Sequence, residues 1–361
     1  MRFIYLIGDK MTINKPARLS QQLSIEYPII QVPLYHGGST ELVAEVSNSG
    51  GLGMIAGGFL TPEALQHEIS SIKELTDRPF GVNLMISKSR DIPESLYADA
   101  ISRMKGFASA ELLEMENLNT DAWELSPLDD LLEVILDEEV PVVSFTFGIP
   151  SKETIALLKE AGVKIIGHST HMVEALLWEE SGVDVHLLQG SESGGMRHTF
   201  IGDVRTHAFS AQALTTQGAR LLEKPFAVSG GIYNKSLFAA AIIQGADGVG
   251  IGTAFMLTPE SGLSEQEADL LLKSNEYDSV LTEHWTGVLG RCYSNLGTQQ
   301  LRKVRGRTLP FPEQLFLVHA ATIDELEIGD HPVDFQPIWA SVNAPFCERV
   351  SVKRLMESLV S

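Results

Sequence analysis

Apolar residues along the chain fall into short continuous runs separated by segments of helical periodicity. The runs are PIIQVP (28–33), LGMIA (52–56), FGVNLMI (80–86), PVVSF (141–145), VKIIGH (163–168), VDVHLLQ (183–189), PFAVSGG (225–231) and ADGVGIG (246–252). They are apolar throughout rather than alternating, which predicts strands buried on both faces. Between them the spacing predicts helices over 41–49, 62–75, 152–161, 172–181, 205–218 and 237–244, with two more around 94–116 and 127–138. Thr61 before Pro62 is a cap followed by a proline at the first helical position. Gly50, Gly162 and Gly182 punctuate helix ends.

Eight strands alternating with helices predict right-handed βαβ units on a parallel sheet, and the count favours closure into a TIM (β/α)8 barrel. The barrel is expected to span residues 20–257, after an N-terminal extension over 1–19. Residues 258–361 break the alternation. They read as a mostly helical extension whose C-terminal tail packs on the barrel.

Composition narrows the partners. The 361 residues carry a formal net charge of -20. Nucleic acids are bound through phosphate neutralisation by Lys and Arg, and no basic run offers this or a surface for anionic membranes. Two cysteines, Cys292 and Cys347, provide neither a disulfide framework nor a Cys-rich zinc site. No HExxH and no dense His/Asp grouping appears, so no metal is expected. No run is long and apolar enough to span a bilayer. A cytoplasmic protein, monomeric or homodimeric, is expected, with a small molecule as its partner.

In such a barrel the chemistry lies at the C-terminal ends of the strands. The residues there are Gln31 to His36, Asn83, Thr146 and Phe147, His168 and Thr170, Gln189 to His198, Ser229-Gly230-Gly231 and Gly250-Ile251-Gly252-Thr253. The two last glycine turns are the informative feature. Glycine permits close backbone approach, and the following helices aim N–H groups at the same place. The spacing leaves two readings open: tight turns alone, or a phosphate cradle. The other strand ends carry amides, hydroxyls and histidines, which suit a flat hydrogen-bonding ring.

These segments resemble the nitronate monooxygenases, formerly 2-nitropropane dioxygenases, and more broadly the FMN barrels that include FabK-type enoyl reductases. The resemblance is carried by residues 28–58, LTDRPFGVNL (75–84), VVSFTFGIP (142–150), LLQGSESGG (187–195), 226–255 and DFQPIWA (334–340). It implies a flavoprotein that binds FMN non-covalently and oxidises alkyl nitronates with O2 to a carbonyl compound and nitrite. It also implies that the flavin ring meets Gln31, Asn83 and Gln189, with Gly194 and Gly195 close by. The phosphate would lie on Ser229, Gly230, Gly231 and Gly250 to Thr253. An enoyl-thioester reductase using NAD(P)H, or an FMN-binding barrel with little turnover, are the alternatives.

One departure separates cofactor from reaction. Relatives carry histidine directly after the Gly-Gly of the sixth strand's loop, where this chain has Met196, and many carry one at Thr146. A thioether has no useful proton affinity. Either His198, two places on, replaces the missing catalytic base, or the base is dispensable because a nitronate is already deprotonated, or the substrate is different.

Overall fold

The computed structural model describes residues 5–7, 10–12, 18–86, 92–107, 125–327 and 332–361. After an antiparallel pair, Tyr5–Ile7 with Lys10–Thr12, comes helix α1 (Arg18–Leu23). The barrel strands are β1 (Ile29–Gln31), β2 (Gly53–Ile55), β3 (Phe80–Met85), β4 (Val142–Thr146), β5 (Lys164–Ser169), β6 (Val185–Gln189), β7 (Phe226–Ser229) and β8 (Gly248–Ile251). All the pairings are parallel, in the order β1-β8-β7-β6-β5-β4-β3-β2. A parallel bridge between Ile30 and Leu52 joins the two ends and closes the barrel. All eight strands coincide with the predicted apolar runs.

Successive residues face opposite sides of each strand, and both sides are apolar. Ile30, Met54, Val142, Ile166, Leu187 and Ala227 share the barrel interior with Leu19 and Leu23 of α1, which plugs its lower end. Their neighbours Val143, Phe145 and Ile165 face the outer helices on one side of the barrel. Ile29, Leu188, Phe226, Val228 and Val249 do so on the other. This double burial is why the runs do not alternate.

The helices between the strands are α2 (Thr40–Asn48), α3 (Pro62–Leu75), α4 (Glu94–Met104), α5 (Leu128–Asp137), α6 (Lys152–Glu160), α7 (Met172–Ser181), α8 (Ala211–Leu221) and α9 (Lys235–Gln244), of which α4 packs Ala100, Ile101 and Met104 with Trp285 and Leu301 of the C-terminal segment. Ser39, Thr61, Ser151, Ser210 and Asn234 cap five of them through side-chain oxygens, each satisfying an otherwise free N–H. Two predicted helices differ. The one expected over 94–116 ends at Met104, and the rest of that span beyond Phe107 lies outside the described residues. The one expected from 205 starts at Ala211, because Ser210 holds its cap and Asp203 organises a turn with Arg205 and Thr206 before it.

Beyond the short α10 (Thr253–Met256) follow α11 (Glu265–Lys273), the strands β9 (Ser279–Thr282) and β10 (Gly290–Tyr293), α12 (Leu296–Leu301), α13 (Glu313–Glu327) and α14 (Val352–Val360). The antiparallel hairpin was not anticipated. It recruits the two-residue strand Gly195–Met196 from the barrel's sixth loop, pairing Met196 with Gly290 and Gly195 with Arg291. Helix α14 buries Val352, Leu355, Met356 and Leu359 in the same core as β7 and β8.

Candidate active site

The loops at the C-terminal ends of the strands enclose a cavity of about 900 Å³, open at its mouth. Its wall brings together Gln189, Gly194, Gly195, Met196, His198, Ser229, Gly230, Gly231, Gly250, Gly252 and Thr253. Residues 32–36, His168 and, from the C-terminal segment, Trp339 and Ser341 complete it. Gln31, Asn83 and Ile251 are not part of the wall.

In one part the wall is nearly bare backbone. Gly230 and Gly231 have φ of 144° and 66°, which L side chains adopt only with strain. A Cβ on Gly231 would meet Asn343 Nδ2 at 2.9 Å, and that same nitrogen donates to the Gly231 carbonyl at 2.8 Å. α10 starts at Thr253 with no side-chain cap at Gly252, leaving its first N–H groups for a ligand. Thr253 Oγ1 accepts from Ser341 N at 2.9 Å. Gly250 is small for another reason: a Cβ there would strike Leu187, Val32 and Ser229 inside the barrel. A second glycine pair, Gly194-Gly195, borders the cavity. Gly194 leaves room for the backbone of Ala340, whereas a Cβ on Gly195 would meet open space.

The three amides serve the protein itself. Gln31 accepts from Met54 N at 2.9 Å, so its side chain stitches β1 to β2 at the closing seam. Asn83 donates to Ser144 Oγ at 2.8 Å. Gln189 donates to the Met196 carbonyl at 2.8 Å and accepts from His198 N at 3.2 Å, clamping the loop that carries the histidine.

Another part of the wall carries the imidazoles of His168 and His198. His198 lies edge-to-face against both His168 and Phe147, with centroids 5.2 and 5.3 Å away. Phe147, at the end of β4, stacks on Phe311 and has φ of 64°, a strained conformation for a bulky residue. His168 Nε2 and His198 Nδ1 are buried without hydrogen-bond partners. Burial pushes His168 down to about 3. Burial, helped by His168 and Arg197, holds His198 well below the usual imidazole range. Both rings are therefore neutral at physiological pH.

His198 is firmly placed. The fully buried Glu174 accepts from Phe200 N at 2.6 Å and Ile201 N at 3.0 Å through one oxygen, and from Thr170 N at 2.7 Å through the other. Thr170 and Thr199 share a hydroxyl contact of 2.7 Å. Under the loop, the buried Arg197 guanidinium donates through Nη1 to the Gly190 carbonyl. Burial lowers it to about 10, against the opposing pull of Glu192 and Glu174. It does not border the cavity. His36, on the rim, contacts Glu267 of α11. Burial raises the Glu267 carboxyl, but hydrogen bonds from His36 and Ser264 leave it below its usual range. Burial pushes both cysteine thiols up to about 12, so neither is a thiolate at neutral pH.

Trp339, Ser341 and Asn343 reach the site from far along the chain. Only Trp339 falls in the segment 334–340 that the sequence marked, and periodicity cannot indicate where that segment lies on the barrel. Among the described residues no cluster of His, Cys, Asp and Glu could hold a metal ion, and no helix is long and apolar enough to cross a membrane.

A barrel whose strand ends surround one cavity with glycine turns and uncharged imidazoles fits the flavin-dependent class of oxidoreductase. Residues 17–361 match the sequence profile of the family described as "Nitronate monooxygenase". A "Probable nitronate monooxygenase" of Staphylococcus haemolyticus is 32% identical over 345 residues, covering 95% of this chain and 96% of its own. The solved nitroalkane oxidase of Streptomyces ansochromogenes superposes with a TM-score of 0.82 at 26% identity, covering 95% and 96% of the two chains. FabK of Thermotoga maritima gives 0.73 at 26% identity, covering 95% and 94%. The chain belongs to the nitronate monooxygenase family.

Proposed function

We propose that the protein binds FMN non-covalently in this cavity and oxidises alkyl nitronates with O2 to a carbonyl compound and nitrite, in the reducing cytoplasm. The carrying observation is the pairing of glycine turns with uncharged imidazoles in one cavity. Ser229, Gly230, Gly231 and Gly250 to Thr253 would hold the phosphate, through backbone N–H groups and hydroxyls rather than a lysine or arginine. Gln189, Gly194 and Gly195 would border the flavin ring. Gln31 and Asn83 would hold the strands beneath it. The bound flavin supplies the capacity to accept electrons from the substrate and pass them to O2.

The protein's own contribution is orientation and electrostatics. A general base works best with a pKa near the working pH, and the burial of His168 and His198 moves both rings away from that range. Met196 cannot take a proton. The site is therefore suited to a substrate that arrives deprotonated. Nitronates should be oxidised readily and neutral nitroalkanes poorly.

Purified protein should be yellow and should release FMN on denaturation. Anaerobic mixing with propionate-3-nitronate should bleach the flavin faster than mixing with NADH. A colourless protein that takes up no added FMN would defeat the proposal. The similarity to FabK keeps a second reading, NAD(P)H-dependent reduction of an enoyl thioester. Rapid bleaching by NADH or NADPH, with none by the nitronate, would establish it instead.

A further inference from the structure

Two buried histidines face one cavity, and neither ring has a hydrogen-bonding partner of its own. His168 is the last residue but one of β5 and is only 2% exposed. Its backbone carbonyl accepts from Trp178 Nε1 at 3.2 Å, so the position is braced from the helix layer. His198 sits across from it on the loop held by Gln189 and Glu174. The rings touch edge-to-face at 5.2 Å, yet His168 Nε2 and His198 Nδ1 remain unpartnered. A buried polar atom left unpaired is unfavourable. Both residues line the cavity, and no ring nitrogen of either has a protein partner to fix its proton, so each ring can present an N–H to a ligand there.

The surroundings indicate the charge of that ligand. Among the described residues no aspartate or glutamate borders the cavity. Directly behind the loop, Arg197 is buried, and its Nη2 has no hydrogen-bond partner. Among the described residues no carboxylate lies within ion-pair distance of it. Glu192 and Glu174 act on it only from farther away. A cation screened weakly by water projects a positive potential into the cavity. A neutral imidazole offers one N–H, and the partner of its other nitrogen decides which nitrogen carries the proton. With no internal partner, each ring is free to turn its N–H toward a ligand oxygen.

We propose that His168 and His198 form a two-donor receptor for the anionic oxygens of the substrate, with the Arg197 charge behind it, and that His198 acts by binding rather than by removing a proton. The inference rests on the nitronate reading above and deepens it. A nitronate presents two oxygens sharing one negative charge on a planar group, as a carboxylate does. Each oxygen can take one imidazole N–H.

Propionate is a carboxylate of the right size that cannot be oxidised by this chemistry, so it serves as the probe. Its dissociation constant for the holoenzyme, read by calorimetry, should rise about tenfold in His168→Ala and in His198→Ala, the loss of one hydrogen bond to a charged group. The double variant should raise it further. His168→Asn, which keeps an N–H donor, should restore part of the affinity. Flavin content should stay unchanged, and KM for a preformed nitronate should rise by similar factors, with kcat moving less.

Propionate binding that is absent in the wild type, or that stays within twofold in folded single variants, would overturn the receptor. So would a kcat that collapses at unchanged KM, which would return His198 to proton transfer. If the Ala variants fail to fold, His168→Phe and His198→Phe, which fill the ring's space without an N–H, carry the same comparison. If nitronates are not oxidised, yet propionate binding still depends on both histidines, the receptor stands and the proposed reaction fails.

Discussion

Two parts of the cavity wall are made of opposite materials. The turns after β7 and β8 work through missing side chains: at Gly230, Gly231 and Gly252 a Cβ would press on Ala211, Asn343 and Val32, so only glycine lets the backbone line the cavity as it does. The part carried by β5 and the loop after β6 works through rings whose own hydrogen-bonding capacity is left unused. A cradle of backbone tolerates little change, since any added atom fills it. A wall of rings tolerates changes of size but depends on the network that aims them. Affinity for a cofactor and choice of substrate can therefore vary separately.

The largest expected effect breaks the cradle. Gly231→Ala places a Cβ at φ 66° and 2.9 Å from Asn343 Nδ2, displacing the contact that holds the C-terminal segment. Flavin content after purification should fall severalfold or to nothing. Gly195→Ala has a similar φ of 81° but open space before it. It should cost only the backbone strain, about 1 kcal/mol, and keep its flavin. Equal loss in both would mean that strain rather than occupancy controls binding.

Next comes the network behind the rings. Glu174→Ala removes the acceptor of three backbone N–H groups and of the Thr170 hydroxyl. Chemical denaturation should show a loss of about 3 kcal/mol. KM for the nitronate should rise while flavin content holds. A variant that lost flavin and kept its KM would reverse the assignment of the two parts.

The smallest effect concerns proton linkage. His168 has a folded pKa of about 3 against 6.5 for the free side chain. Below pH 6.5 the unfolded chain binds a proton that the folded chain refuses. The stability tied to this group is thus fully present above about 6.5 and is lost progressively as the pH falls toward 3. Between pH 7 and pH 5 the wild type should lose about 2 kcal/mol more than His168→Leu in urea unfolding. Parallel curves would show that the ring is accessible to protons in the folded state.

Much of this architecture was legible in the chain. Strands such as Val142–Thr146 and Phe226–Ser229 are apolar on both faces because they lie between a filled interior and a helix layer, and such runs occur in few other settings. The helix over 62–75 appeared with its own bounds because Thr61 and Pro62 mark its start locally. The hairpin Ser279–Thr282 with Gly290–Tyr293 was not legible. Its strands are short, and the third strand that stabilises them, Gly195–Met196, comes from the sixth barrel loop. No local pattern carries information about a partner that distant.

The sequence by itself determined the barrel, the glycine turns and the methionine at position 196. These depend on side-chain volume, backbone freedom and residue identity, which are properties of single positions. Tertiary structure alone decided how those positions are used. It turned the amide of Gln31 into the closing stitch of the barrel and set Arg197 behind the loop rather than in the cavity. It brought Ser341 to Thr253 across 88 residues. It also enclosed His168 and His198 together, where burial keeps them neutral and leaves their nitrogens unpaired. A histidine's charge and partners depend on the dielectric and the donors around it, and only the folded chain supplies those.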